Sequence, residues 1–106
     1  MTGAELIAAE RQRQIEAEGW TPEHDDVHAS GEITYAAISY ALHPFSDERI
    51  AGAVRDFRTE PGTAIPEFWP WEDEWWKPTP KDRVRELTKA GALLAAEIDR
   101  LQRTAP

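Results

Sequence analysis

The residues of this chain that could do chemistry are concentrated in two short stretches. The first, GWTPEHDDVHASGE, covers residues 19–32, and we call it the connector. His28 and Glu32 are four residues apart, so on a helix they share a face, with Asp25 one turn before them and Tyr35 one turn after. Imidazole and carboxylate groups at this spacing can hold a divalent metal ion. They can equally form a capping network, in which a carboxylate accepts backbone N–H groups and His28 bonds a carboxylate.

The second stretch, IPEFWPWEDEWWKPTP, covers residues 65–80, and we call it the tryptophan segment. It holds four of the five tryptophans and four prolines. Proline at this density is incompatible with a helix interior or a central strand, so we predict a loop pinned by aromatic side chains. A tryptophan can anchor such a loop, or it can stack a base, which contributes ~1–3 kcal/mol per base. We expect both roles, and the aromatic ligand candidates are Trp20, Trp71, Trp75 and Trp76, with His24 beside Trp20.

The charge of the chain narrows the choice of partner. It has 12 Lys and Arg residues against 20 Asp and Glu residues, and its formal net charge is −8 at pH 7. That argues against duplex nucleic acid, because neutralising the backbone phosphates takes a Lys/Arg surface. A free nucleotide stays compatible, because a few local cations can neutralise its phosphates. The candidates are Lys77 and Arg83 in the basic patch after the tryptophans, and Lys89, whose alternative partner is Glu86 three residues before it.

Length and composition indicate one globular domain that does not enter a membrane. The chain has 106 residues, and no apolar run approaches the ~18 residues of a membrane helix. No basic and then apolar leader is visible at the N-terminus. Cysteine is absent, which excludes disulfides and thiolate metal sites. We therefore expect a cytoplasmic protein.

Hydrophobic periodicity and capping signals predict an all-α fold. We expect a small bundle of three to four helices with a tryptophan- and proline-rich loop, and no strand alternation competes with it. The predicted helices cover residues 3–18, 30–42, 47–57 and 80–103, with a single helical turn at 22–26. In the second helix, Ile33, Ala36, Ala37, Tyr40 and Ala41 form the buried stripe.

Two of these helices have an unusual distribution of side chains. The last helix is apolar around much of its circumference, with one side lined by Val84, Leu87, Gly91, Leu94, Ala95, Ile98 and Leu101. Such a helix lies centrally in a bundle or in a subunit interface, so we expect a homo-oligomer. The first helix has a partly polar inward side. Its Glu10 and Gln14 either cover apolar neighbours or point into a shared site.

The strings ERQRQIEAEGWTPEHDDVHASGE, WPWEDEWWKP and DRVRELTKAGALLAAEIDRL resemble a family of small proteins common in tailed phages and prophages. More distantly, the layout is similar to the all-α nucleoside triphosphate pyrophosphatases of the MazG type. That similarity implies a helical oligomer that holds magnesium through one acidic pair on each of two helices. Glu32 and Glu86 match one acid of each pair, whereas Tyr35 and Lys89 stand where the second acids would be.

These observations lead to one main functional hypothesis and two alternatives. The main hypothesis is a phage-type protein that binds a nucleotide-like phosphorylated ligand, and by analogy sequesters a host nucleotide immune signal. The first alternative is a magnesium-dependent pyrophosphohydrolase that uses Glu32 and Glu86. The incomplete acid pairs favour binding over hydrolysis. The second alternative is a protein that inhibits a host factor through its acidic, tryptophan-rich surface.

Overall fold

The protein is mostly helical. A computed structural model describes residues 1–42, 54–56 and 63–104, the middle range by its backbone alone. Its elements are α1 (Gly3–Glu18), α2 (Pro22–Asp26), α3 (Glu32–Ala41), β1 (Val54–Asp56), β2 (Ile65–Pro66), a 3₁₀ turn (Asp73–Trp75) and α4 (Arg83–Thr104). No helix in these described ranges is long and apolar enough to cross a membrane. The predicted helical class is confirmed.

Caps fix where α1 ends and where the connector begins. Thr2 and Glu5 form a reciprocal capping box, in which each side chain accepts a hydrogen bond from the other's backbone N–H. Gly19 ends α1 in the left-handed region, with a φ of 74° that glycine adopts at little steric cost. Thr21 then caps α2, and Pro22 occupies its first turn. The first helix and the single turn are therefore where the sequence predicts them.

Helix α4 is the central element, because it packs against α1, α2 and α3. Gly91 lets α1 approach closely, since a Cβ at this position would lie 2.5 Å from the Cδ1 atom of Ile7. On the side of α3, the core contains the predicted stripe of that helix together with Leu93. Trp69 and Trp76 of the tryptophan segment belong to the same core, at 3% and 5% exposure. The segment is thus a structural part of the bundle.

The structure corrects the helix predicted for residues 47–57. Residues 54–56 of that range form β1, which pairs antiparallel with β2. The rest of the range lies outside the described residues. Strand β2 has two residues, both buried, so it cannot produce the period-two alternation by which a strand is recognised in sequence.

The structure also shows that the apolar stripe predicted along α4 faces outward. Leu87, Leu94 and Ile98 are 47%, 44% and 57% exposed. The inward side instead combines alanines with buried polar groups such as Glu97 and Arg100, which form an ion pair at 2.5 Å. Apolar periodicity shows that such a face exists, but small and ion-paired inward residues leave no comparable signal.

Candidate functional site

The connector and the tryptophan segment line one cavity, which we call the aromatic pocket. It encloses about 320 Å³. Its lining residues are Trp20, His24, His28, Pro70, Trp71, Glu72 and Trp75. Five of the twelve residues that the sequence singles out as ligand contacts therefore meet here, from two stretches about 45 positions apart.

The connector is held in place by a buried ion pair that does not line this pocket. Arg11 of α1 donates to Asp25 at 2.6 Å and to the backbone carbonyl of Trp20 at 3.0 Å. The two charged side chains are 12% and 6% exposed. Asp25, predicted as a ligand or metal contact, is therefore paired with Arg11 and lies outside the lining of this pocket.

The aromatic rings of the pocket form a connected group. Trp20 and His24 lie nearly parallel, with ring centroids 6.5 Å apart and an interplanar angle of 4°. His28 is 5.0 Å from His24 and 5.2 Å from Trp71, measured between ring centroids. The indole nitrogen of Trp71 is buried and has no hydrogen-bond partner among the described residues. The pocket therefore offers flat apolar ring surfaces to a ligand.

The four tryptophans of the segment divide into anchors and pocket residues. Trp69 and Trp76 are buried, and their indole N–H groups donate to the backbone carbonyls of Glu72 and Thr63, each at 3.2 Å. Trp75 is 45% exposed, and Trp71 is half-buried. The expected division of roles is present, but Trp76, predicted as a ligand contact, is one of the anchors.

A second cavity, which we call the basic pocket, adjoins the first and encloses about 250 Å³. Trp20 and Trp75 line both cavities. The other residues of the basic pocket are Glu10, Arg13, Gln14, Glu18, Tyr40, Lys77, Thr79, Arg85, Lys89 and Leu93. Its lining thus carries four cationic side chains against two carboxylates, which gives an excess of positive charge in an acidic protein.

Buried Glu10 organises one wall of the basic pocket. Its carboxylate accepts hydrogen bonds from Arg13 at 2.8 Å and from Arg85 at 2.6 Å. Burial alone would raise the pKa of Glu10, but hydrogen bonds from the two arginines outweigh it and hold this pKa below its ordinary value. Gln14, one turn along, is 2% exposed, and its Oε1 atom has no partner among the described residues. This wall therefore presents an ionic network fixed by Glu10 to the basic pocket.

Lys89 lies between the basic pocket and the hydrophobic core. Its ammonium donates to the backbone carbonyl of Lys77 at 2.7 Å and lies 5.1 Å from the centre of the Tyr40 ring. Burial lowers the pKa of Lys89, and it also raises the pKa of the Tyr40 hydroxyl. Lys77 itself is 57% exposed at its side chain and lies 5.5 Å from the Trp75 ring, where the two pockets meet.

Four other predicted site residues lie outside both pockets. Glu32 accepts from the backbone N–H of Ser30 at 2.6 Å and lies 3.3 Å from His28, as in the predicted capping network. Tyr35 is half exposed beside Phe68. The guanidinium of Arg83 donates to the backbone carbonyls of Tyr40 and Ala41 at the end of α3. Glu86 is fully buried and accepts a hydrogen bond from the backbone N–H of Thr79.

The described residues contain no group of three or more histidine, aspartate or glutamate side chains that could hold a metal ion. Asp25, His28 and Glu32 therefore do not form the predicted three-ligand set, because Asp25 is paired with Arg11. The burial of Glu86 also removes it from a solvent-accessible acid pair with Glu32. Among the residues that the structure describes, the acidic cluster that the enzyme alternative requires is therefore not assembled.

Comparison of the chain with protein-family models, with curated proteins and with solved structures finds no match. The two pockets are therefore the features of the molecule that bear on its function. Arg13 and Arg85 are pocket residues that sequence reasoning missed. In the sequence, this wall is indicated by the polar inward side of α1, through Glu10 and Gln14.

Proposed function

We propose that this protein binds a nucleotide-like phosphorylated ligand, with the base in the aromatic pocket and the phosphate in the basic pocket. The observation that carries the proposal is the adjacency of the two cavities, which share Trp20 and Trp75. A ligand that spans both must be flat and aromatic at one end and anionic at the other. Nucleotides have this combination of groups.

The aromatic pocket suits a base because its walls are rings. Trp71 and Trp75 offer indole surface for stacking, which is tolerant of the identity of the base. His24 and His28 add groups that donate or accept according to their tautomer.

The basic pocket suits a phosphate because its cations outnumber its carboxylates. Lys77 is the most accessible of them and lies beside Trp75, at the passage between the two cavities. Lys89 and Arg85 lie deeper and supply further N–H donors.

The geometry supports binding of the ligand without its hydrolysis. Glu86 is buried, and the histidines and carboxylates of the connector do not converge on a metal position. A nucleotide that is held and not cleaved is withdrawn from solution. Sequestration of a nucleotide signal is therefore the role that we propose, in keeping with the resemblance of the sequence to small phage proteins.

Isothermal titration calorimetry against adenosine and guanosine nucleotides, linear and cyclic, tests this proposal. Trp71→Ala should weaken binding by about 10-fold or more, because one stacked base contributes ~1–3 kcal/mol. Tyr35→Ala is the matched aromatic control, since Tyr35 is half exposed outside both pockets, and it should bind like the unmodified protein. Chromatography of the recovered ligand should show it intact.

The phosphate position is tested by a second pair of variants. Lys77→Ala should weaken binding of the nucleotide but leave binding of the corresponding nucleoside unchanged. Lys81→Ala, an exposed lysine outside the basic pocket, is the control. No binding by any nucleotide of the panel, or equal losses in Trp71→Ala and Tyr35→Ala, would contradict the proposed function.

A further inference from the structure

Glu18, the last residue of α1, bridges two cations of the basic pocket. Its Oε1 atom accepts a hydrogen bond from the Arg13 guanidinium at 3.2 Å, and its Oε2 atom lies 3.7 Å from the ammonium of Lys77. The side chain of Glu18 is 20% exposed, so the carboxylate is partly open to solvent. One carboxylate thus contacts two cations through its two oxygens, as a phosphate in the same place would.

This bridge lies where the two pockets meet. Lys77 is 5.5 Å from the centre of the Trp75 ring, and Trp75 lines both cavities. Glu18 and Arg13 line the basic pocket together with Lys77. A ligand whose base stacks in the aromatic pocket would therefore bring its phosphate to the two cations that Glu18 already contacts.

Glu18 is poorly placed for the stability of its own helix. The C-terminal end of a helix carries a partial negative charge, which disfavours a carboxylate there. The last turn of α1 nevertheless contains Glu16 and Glu18 and no basic residue. The contacts with Arg13 and Lys77, and not the helix itself, therefore account for a carboxylate at this position.

Glu18 is the more easily displaced of the two carboxylates in the basic pocket. Glu10 is 3% exposed and accepts hydrogen bonds from Arg13 and Arg85 at 2.6 to 2.9 Å. Glu18 combines a longer hydrogen bond with a contact of 3.7 Å, and partly exposed ion pairs of this kind are weak. A ligand anion can therefore replace Glu18 while Glu10 stays in place.

Replacement of a carboxylate sets a requirement for the charge of the ligand. A phosphodiester carries one negative charge, as the carboxylate does, so the exchange gains little attraction. A terminal phosphate carries nearly two negative charges at pH 7, because its second pKa is about 6, and it is attracted more strongly to both cations. On the basis of the function proposed above, we infer that Glu18 is an internal counter-ion through which the site takes nucleotides with a terminal phosphate in preference to phosphodiesters.

Calorimetric titration with matched ligands tests this preference. The ligands are adenosine and guanosine, their 5′-monophosphates and their 3′,5′-cyclic monophosphates, so that the base is constant within each series. The 5′-monophosphate should bind the native protein more tightly than the nucleoside by about five-fold or more, which is the effect of one additional unit charge ~4 Å from a cation in water. The cyclic monophosphate should bind about as weakly as the nucleoside.

Glu18→Gln tests whether this residue imposes the preference. The substitution keeps the shape of the side chain and removes its charge, so Arg13 and Lys77 lose their counter-ion. The cyclic monophosphate should then bind about five-fold more tightly than it binds the native protein, whereas the affinity for the nucleoside should stay the same. Glu16→Gln is the matched control, because Glu16 is an exposed carboxylate that contacts Gln12 and lines neither pocket. Circular dichroism checks that both variants fold.

Two outcomes would overturn this role of Glu18 and leave the proposed function standing. One is a cyclic monophosphate that binds the native protein as tightly as the 5′-monophosphate does. The other is a Glu18→Gln variant that folds and binds the cyclic monophosphate no better than the Glu16→Gln variant does. If none of the six ligands binds the native protein or either variant, the proposed function fails, and the role of Glu18 fails with it.

Discussion

At the scale of single residues, Arg11 and Asp25 decide where the connector lies. Removal of one member of a buried ion pair leaves the other charge without compensation, which typically costs 3–5 kcal/mol. Because Arg11 is 12% exposed and retains its bond to the Trp20 carbonyl, we expect Asp25→Ala to lower the free energy of unfolding by about 3 kcal/mol. Urea denaturation measures this loss.

The double variant Arg11→Ala/Asp25→Ala separates the ion pair from other effects of each substitution. If the pair is the cause, the double variant loses clearly less stability than the sum of the two single variants. Additive losses would show that the two side chains act independently and that the connector is fixed by other contacts.

A second residue-scale prediction concerns acid stability. The pKa of Glu10 in the folded protein lies below its ordinary value of 4.5. The stabilisation by this carboxylate is therefore fully present above pH 4.5 and is lost as the pH falls through the lowered pKa. Glu10→Gln should cost about 2 kcal/mol at pH 7 and much less at pH 3, measured by urea denaturation at both values.

The control for this titration is Glu16→Gln, which alters an exposed carboxylate on the same helix. It should lower stability little at either pH. A Glu10→Gln variant with the same loss at pH 3 as at pH 7 would contradict the account, because the loss would then come from packing and not from charge.

Residue types and spacing predicted part of the site. Trp20, His24 and His28 are brought together because a short capped helix follows Gly19, and caps are local signals that sequence shows well. The role of Asp25 was not predictable, because its partner Arg11 lies fourteen positions away on another helix. Burial that depends on such a tertiary ion pair leaves no periodic pattern in the sequence.

At the scale of elements, the tryptophan segment depends on two buried rings for its position. Trp76 packs on Tyr40 with ring centroids 4.7 Å apart, and its N–H donates to a backbone carbonyl. We expect Trp76→Ala to lower the free energy of unfolding by about 3–5 kcal/mol, as large-to-small core substitutions do. Trp75→Ala, which removes a half-exposed ring, should cost below about 1 kcal/mol.

Thermal and urea unfolding of the two variants measure this contrast. Trp75→Ala should weaken nucleotide binding, although this variant remains folded. Equal destabilisation by the two substitutions would contradict this division, in which Trp76 anchors the segment and Trp75 does not.

The elements were predictable in proportion to their length and capping. The stripe of Ile33, Ala36 and Tyr40 on α3 was predicted and is buried. Strand β2 was not, because two residues cannot display a period and Pro66 is typical of loops. For α4, sequence showed an apolar face but not that it points outward, since inward residues such as Glu97 and Arg100 are paired with each other.

At the scale of the whole molecule, the net charge of −8 repels an anionic ligand, so the proposed binding depends on the local cations of the basic pocket. Salt screens the attraction between these cations and a phosphate. Binding of a phosphorylated ligand through Lys77 and its neighbours should therefore weaken several-fold between roughly 50 and 500 mM sodium chloride, measured by isothermal titration calorimetry. Binding that does not change with salt would contradict a phosphate contact with these side chains.

The central claim is that the connector and the tryptophan segment enclose one ligand site, and the indole N–H signals of the five tryptophans report on it most directly. Nuclear magnetic resonance of the ¹⁵N-labelled protein, titrated with a nucleotide, resolves these signals residue by residue after assignment with single Trp→Phe variants. We predict large shifts for Trp20, Trp71 and Trp75, and small ones for Trp69 and Trp76, whose N–H groups are already bonded in the core. Shifts confined to the two buried indoles, or no shifts at saturating nucleotide, would contradict the account.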